Sequence, residues 1–385
     1  MGQSRGRALL LITAANFVFF MSVTSFFTLP VYLERLGASR AAVGQIMGTF
    51  GLASLLAIPL TGLWADRFGR RPLLVLGALL WALGAWGYSR VDALGPAIYA
   101  LRLLQGVAFS LFFVSANAVV ADLAPEGRLG RAIAVFGTTT LAAHALGPTL
   151  GELVIARAGF ARLFQLSAIA GLLSLCGVFA VGETRRPTPE GEAPVGVLAL
   201  ALRPGMRSVL LSAFAAAMAF GAAIHFMSVF VRAQGMTTHA PFFVAYVALA
   251  IGVRLALGGL GDRVGHRRVG ALATLVFGVS VLGLSQVHGP AALAVVGACF
   301  GAAHGLAYPS LNALFLQEAG PSARGRAMAS FNLSFNVGMT VAAFVAGRVA
   351  EHLGYGAMWT MMGVVAILGG LGVWRDGAAR LSGRA

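Results

Sequence analysis

The amino-acid sequence predicts an all-α membrane protein of twelve transmembrane helices, arranged as two pseudo-symmetric six-helix bundles. Three observations predict it. Apolar runs of ~20 residues recur from end to end, each long enough to cross the ~30 Å hydrocarbon core of a bilayer. Charged residues are only 11% of the chain against 58% hydrophobic ones, and they gather in the short breaks between those runs. Soluble domains carry roughly 25% charged residues. The third observation is a loop pattern that returns, at a nearly constant offset, halfway along the chain.

Taken in order, the spans fall at 8–30, 40–64, 73–89, 96–121, 130–156 and 160–182, then at 207–232, 238–260, 268–286, 290–316, 325–350 and 355–374. Between the two sets lies a polar stretch with Pro187, Pro189, Pro194 and Pro204. It divides the chain into an N-terminal bundle (1–182), a cytoplasmic linker (183–206) and a C-terminal bundle (207–385). Arg5 and Arg7 precede the first run, which has no A-x-A-like cleavage site, so it is expected to be a span rather than a removed signal. All 28 basic residues are arginine, and 19 of them fall in the termini and loops on the side of the N-terminus against 7 on the other. The excess of positive charge puts both termini in the cytoplasm.

Composition also excludes. The formal charge of +15 invites a nucleic-acid partner, yet the arginines are dispersed among apolar runs, so the lipid bilayer is the expected partner and nucleic acid is not. Cys176 and Cys299 both sit inside apolar runs, which leaves neither a disulfide framework nor a metal site. Phosphate-binding loops, nucleophile elbows and zinc signatures are absent, so no enzymatic activity, cofactor or metal is expected.

The two halves repeat in sequence. Gly62, Asp66, Arg67 and Gly69, followed by Arg70 and Arg71, recur as Gly258, Asp262, Arg263 and Gly265 at an offset of 196 residues. Gly106, Asn117, Gly130 and Arg131 match Gly301, Asn312, Gly325 and Arg326 at an offset of 195. Parallel repeats of this kind suit a transporter whose substrate binds near the midplane.

The stretch GLWADRFGRR resembles the loop signature between the second and third spans of the major facilitator superfamily. That resemblance covers essentially the whole chain and implies the superfamily fold, alternating access and a small-molecule substrate. It also implies that the loop braces the halves on the cytoplasmic side, with Arg131 as a partner for Asp66. The glycines would let helix ends approach, and Asp66 would accept charge-assisted bonds. The alternative is that Arg67, Arg70 and Arg71 serve only to set topology. Arg102, followed by Gln105 and Gly106, is similar to a motif of proton-coupled members, though an Arg so near a span end also reaches the headgroups by snorkelling. Ala143, Gly147, Pro148, Gly151 and Glu152 resemble the fifth-span motif of exporters such as drug/proton antiporters and arabinose-efflux permeases, with Ala143 and Glu152 departing from its first and last glycines. A plain packing seam is the other reading of those small residues.

Proton coupling needs a titratable group inside the membrane. Glu152 is the one carboxylate within a span, and with Arg102 it forms the leading coupling pair; His144, His225 and His304 are the alternative, each also a possible packing residue. Arg254 is a lone guanidinium in span 8 whose repeat position is Ile58, which fits either an anionic substrate or a lock to a neighbouring acceptor. Asn16, Gln45, Asn117, Asn312, Asn332 and Asn336 are candidate cavity groups, with Phe20, Phe26, Phe109, Phe226 and Tyr308 as apolar walls. The function expected is proton-driven export of a small amphipathic or partly anionic compound by a monomer in a bacterial inner membrane. Import of sugars or organic acids and lipid or lysolipid flipping are the alternatives.

Overall fold

The computed structural model describes residues 2–125, 128–184, 206–320 and 323–382. Residues 185–205, nearly all of the expected linker, and the loop residue Glu126 lie outside the described residues. With no water in the hydrocarbon to bond exposed amides, a span must satisfy its backbone internally, and helices do so. Among the described residues every regular element is helical.

The chain opens with α1 (Gly2–Ser25), a 3₁₀ turn and α2 (Leu29–Arg35), which together make one crossing. There follow α3 (Arg40–Phe68), α4 (Arg70–Tyr88), α5 (Pro96–Leu123) and the long α6 (Leu129–Val181). The second series is α7 (Met206–Ala233), α8 (Ala240–Leu257), the short α9 (Leu260–Val264), α10 (His266–Gly283), α11 (Pro290–Ala319) and α12 (Arg324–Ser382). Helices α5 and α11 start on Pro96 and Pro290, where the missing N–H has no helical acceptor to lose. Ten of these stretches are long and apolar enough to cross a membrane, and two of the ten are double: α6 breaks at Gly159 (φ 77°) and α12 at Gly354 (φ 83°). Twelve crossings result. The two breaks stand 195 residues apart, and only glycine adopts such a backbone without strain.

The crossings form two compact units, Met1–Ala38 with Thr49–Glu190, and Ser39–Gly48 with Gly191–Ala385. In the first unit α1 packs along α6, and α4 packs on both α5 and α6. Its centre is aromatic: Phe19 stacks on Phe112 at 3.8 Å, and Trp81, edge-on to Phe19, donates its indole N–H to Ser22 Oγ at 2.7 Å. In the second unit α7 lies along α12, and α10 packs on α11 and α12. Trp359 meets Phe230 there at 5.4 Å.

Two expected cavity walls prove to be core residues. Phe26 is wedged between Trp81, Tyr88 and Phe164 and is 2% exposed, and Phe226 is fully buried in α7. Their turn of helix faces packed neighbours, which hydropathy alone does not distinguish from a wall.

The first turns of α3 belong to the second unit. Glu351 Oε2 accepts the Arg40 N–H at 2.7 Å, the Arg40 guanidinium donates to the Ala350 carbonyl and lies over the Tyr355 ring, and Gly44 stands opposite Gly347. Gln45 lies on this stretch, half-buried.

Candidate functional site

The repeated loops join neighbouring helix ends through ion pairs. In the first unit α3 stops at Phe68, Gly69 turns the chain with φ 98°, and α4 starts at Arg70. The turn brings Arg70 back onto the end of α3. Its guanidinium forms ion pairs with Asp66 Oδ1 at 3.0 Å and with Asp122 Oδ2 at the end of α5 at 3.3 Å, and donates to the Ala65 carbonyl at 2.7 Å. The free amides at the start of α4 are held as well: Arg70 and Arg71 donate their N–H groups to the two oxygens of Glu183 at 3.0 Å each. A carboxylate there satisfies orphan donors and meets the positive end of the helix dipole. A Cβ on Gly69 would stand 2.5 Å from the Glu183 carboxylate, so this glycine is required by space as well as by φ.

This corrects two expectations. Asp66 is held by Arg70, one helical turn away across the glycine, while Arg131 is exposed. Gly62 does not mediate a close approach, since an added Cβ there meets nothing within 4 Å. Arg67 is exposed over the Phe68 ring, and Arg71 lies over Phe179.

The second loop repeats the backbone with other partners. Gly265 has φ 100°, and Asp262 bonds His266 Nε2 at 3.1 Å. Arg267, one residue on, pairs with Glu318 at the end of α11 and donates to the Val373 carbonyl. Gly258 and Arg263 are exposed.

Within the first unit, Asn16 on α1 donates to Thr140 Oγ1 at 3.0 Å, and the Thr140 carbonyl lies 2.7 Å from His144 Nδ1 on α6. Phe20 covers this chain, near His144, Phe109 and Phe113. Asn16 is fully buried, with its Oδ1 unpartnered among the described residues. Arg102 is buried, bonds Gln105 Oε1 at 3.1 Å and lies over Phe50 at 5.0 Å, so it does not snorkel. Glu152 is half-buried one turn beyond Pro148. Gly147 faces Thr24 of α1 with no room for a Cβ, and Thr24 Oγ1 donates to the Ala143 carbonyl at 2.7 Å. Gly151 sits in looser contact. The fifth-span motif is thus a close seam between α1 and α6. Asn117 donates to the Phe113 carbonyl of its own helix at 2.8 Å.

Within the second unit the polar groups converge on α8, α11 and α12. His304 stacks on Phe220 at 4.7 Å and lies 3.4 Å from the Tyr246 hydroxyl. Tyr308 donates to Asn332 Oδ1 at 3.0 Å, and Asn336 and Thr340 continue that face of α12 at intervals of four residues. Arg254 is half-buried near Tyr246 and Tyr308, with its Nε buried and unpartnered among the described residues. Asn312 reaches Met328 Sδ, and His225 is buried in α7. The void beside His304 and Tyr308 is about 10 Å³, room for one water at most, so this cluster encloses no organic ligand by itself. Tyr246, Thr140, Phe113 and Phe220 were not singled out from the sequence. Tyr246 and Phe220 are far in sequence from His304, Phe113 from Phe20 and Thr140 from Asn16, and one chain's periodicity does not reveal such pairs.

The sequence profile of the Major Facilitator Superfamily matches residues 9–259 and 242–380. A multi-drug resistance efflux pump PmrA homolog of Lactococcus lactis subsp. lactis (strain IL1403) is 25% identical over 346 residues, covering 86% of this chain and 84% of that protein. Multidrug resistance protein MdtG of Enterobacter lignolyticus (strain SCF1) is 25% identical over 375 residues, covering 92% and 88%. Among solved structures, the nucleoside transporter NupG superposes with a TM-score of 0.79 at 14% identity, over 96% of this chain and 99% of that one. With the repeated glycine-centred loops and the twelve crossings already described, these matches leave one assignment: the chain belongs to the major facilitator superfamily and is a multi-pass membrane transporter.

Proposed function

We propose that the protein is a secondary active exporter that uses a proton gradient to expel small amphipathic, partly anionic organic compounds by alternating access. It would act as a monomer in a bacterial inner membrane, with both termini cytoplasmic. The observation that carries the substrate class is Arg254. A guanidinium whose Nε is buried without a partner among the described residues, between two tyrosines and facing no carboxylate there, is a ready receptor for a carboxylate, phosphate or sulfonate. The outward direction is supported by the resemblance to efflux pumps along most of both chains. Glu152 with Arg102 is the proposed coupling pair, and His144, at the end of the Asn16–Thr140 chain, is the proposed second proton carrier.

The test uses inside-out vesicles with an acidic interior. They should accumulate a fluorescent organic anion, and an uncoupler should collapse the accumulation. Arg254→Ala should lower anion uptake at least tenfold and leave uptake of a cationic dye such as ethidium nearly unchanged, since a charge-assisted bond to a desolvated anion is worth about 1.5–3 kcal/mol. Accumulation by right-side-out vesicles alone would reverse the direction. Equal anion uptake by Arg254→Ala would remove the substrate assignment, and native pH-driven rates in both Glu152→Gln and His144→Ala would remove the coupling scheme.

A further inference from the structure

Each unit carries a groove between its first and last crossings at the arginine-rich end, and the two grooves differ in one respect. In the first unit a groove of about 650 Å³ is lined by Arg5, Arg7, Asp122, Glu183 and Thr184. Its carboxylates are engaged: Asp122 by Arg70 and Thr184, and Glu183 by the amides that open α4. In the second unit a groove of about 580 Å³ runs between α7 and the second crossing of α12, with Arg207 and Asp376 among its lining residues. Among the described residues, neither Arg207 nor Asp376 has a hydrogen-bond or ion-pair partner, and they do not pair with each other. A cation and an anion thus line one groove with their valences open.

Apart from Ser208, the rest of the groove is apolar. Leu211 and Leu368 flank it and are exposed. Gly369 lets α12 close on α7, where an added Cβ would stand 2.9 Å from that of Ala215. Gly372, one turn nearer the polar end, has nothing within 4 Å of the place its Cβ would occupy. Arg207 stands at the start of α7 and Asp376 at the end of the apolar stretch Arg326–Gly377, one turn beyond Leu211 and two turns beyond Leu368 along their helices. Size, polarity gradient and the exposed leucines fit a lipid better than a soluble solute.

We propose that this groove binds one phospholipid with a zwitterionic, amine-bearing headgroup, its phosphate on Arg207, its ammonium on Asp376 and an acyl chain along Leu211 and Leu368 over Gly372. The separated charges set the choice of headgroup. Phosphatidylglycerol satisfies Arg207 but puts no cation on Asp376, and phosphatidylcholine brings a cation with no N–H to donate. Phosphatidylethanolamine satisfies both, and a hydrogen bond to a charged group corresponds to about a tenfold preference or more.

The experiment is native mass spectrometry of the purified full-length protein with phosphatidylethanolamine, phosphatidylcholine and phosphatidylglycerol of matched acyl chains. The wild type should retain phosphatidylethanolamine about tenfold over the other two. Asp376→Asn, nearly isosteric, should bring phosphatidylethanolamine down to the level of phosphatidylcholine, and Arg207→Gln should weaken all three. Gly372→Leu, which grows into open space, should fill the groove and lower retention of every lipid while the thermal unfolding temperature is kept. Equal retention of phosphatidylethanolamine and phosphatidylcholine by the wild type overturns the proposal. So does a preference for phosphatidylglycerol, an unchanged headgroup order in Asp376→Asn, or full retention by Gly372→Leu. None of these outcomes depends on the direction of transport or on its substrate.

Discussion

The two repeated loops share a backbone and divide their chemistry differently. Gly69 and Gly265 turn the chain with φ of 98° and 100°, and each loop has an aspartate one turn before a basic residue. In the first loop a single side chain, Arg70, holds both Asp66 and Asp122 and is only 9% exposed. In the second loop the two tasks fall to neighbours: His266 holds Asp262, and Arg267 holds Glu318. Glu183 caps α4 in the first unit. Duplication therefore preserved the turn, which only glycine makes cheaply, while the partners were free to move by one residue because a helix start presents adjacent side chains to both neighbouring helix ends.

That contrast is open to direct attack. The largest effect is expected from Arg70→Ala, which strands Asp122, 15% exposed, and releases Asp66, 54% exposed and so worth little by itself, and which should cost about 3 kcal/mol. Arg267→Ala strands one and should cost about 1 kcal/mol less. Thermal unfolding in detergent measures both, and equal losses would mean that Arg70 does not serve two partners. Next come the glycines. Gly69→Ala and Gly265→Ala each force an L-residue into a glycine backbone, at about 1–3 kcal/mol. Gly69→Ala should be the worse by about 1 kcal/mol, because the new methyl displaces Glu183 from the α4 amides, whereas the Gly265 position is open. A reversed order would show that Glu183 is not a cap. The smallest effect is expected from His266→Arg, which copies the first loop. Asp262 is 76% exposed, so the change should stay within about 0.5 kcal/mol by the same assay.

Much of this was legible in the chain. Spans, loop repeat, the position of the glycine turns and the resemblance to the superfamily all rest on local patterns: runs of ~20 apolar residues, charge in the gaps, and glycine beside Asp-Arg. The second matched pair of glycines, Gly159 and Gly354, falls in the gaps expected after the fifth and eleventh spans and keeps the 195-residue offset, but a gap alone does not say which residue turns the backbone. The partner of Asp66 was also missed. Choosing among Arg67, Arg70, Arg71 and Arg131 requires knowing that the Gly69 turn folds Arg70 back onto α3, a matter of backbone direction rather than residue type. The cavity candidates divide for the same reason: Phe20 and Tyr308 border polar chains, whereas Phe26 and Phe226 are core, and all four sit in runs apolar enough to span a membrane.

The sequence by itself determined that the chain crosses a membrane twelve times, that it consists of two copies of one plan, and which loops carry the charge. Those properties follow from transfer free energy and from covalent repetition, both of which are summed along the chain. The tertiary structure alone decided which charges are spent and which are open. Arg70, Asp122 and Glu183 are consumed by one another and by helix ends, while Arg254, Arg207 and Asp376 have no partner among the described residues. Pairing over 3 Å depends on where helices are brought together, and two identical residues at the same hydropathic depth differ only in that.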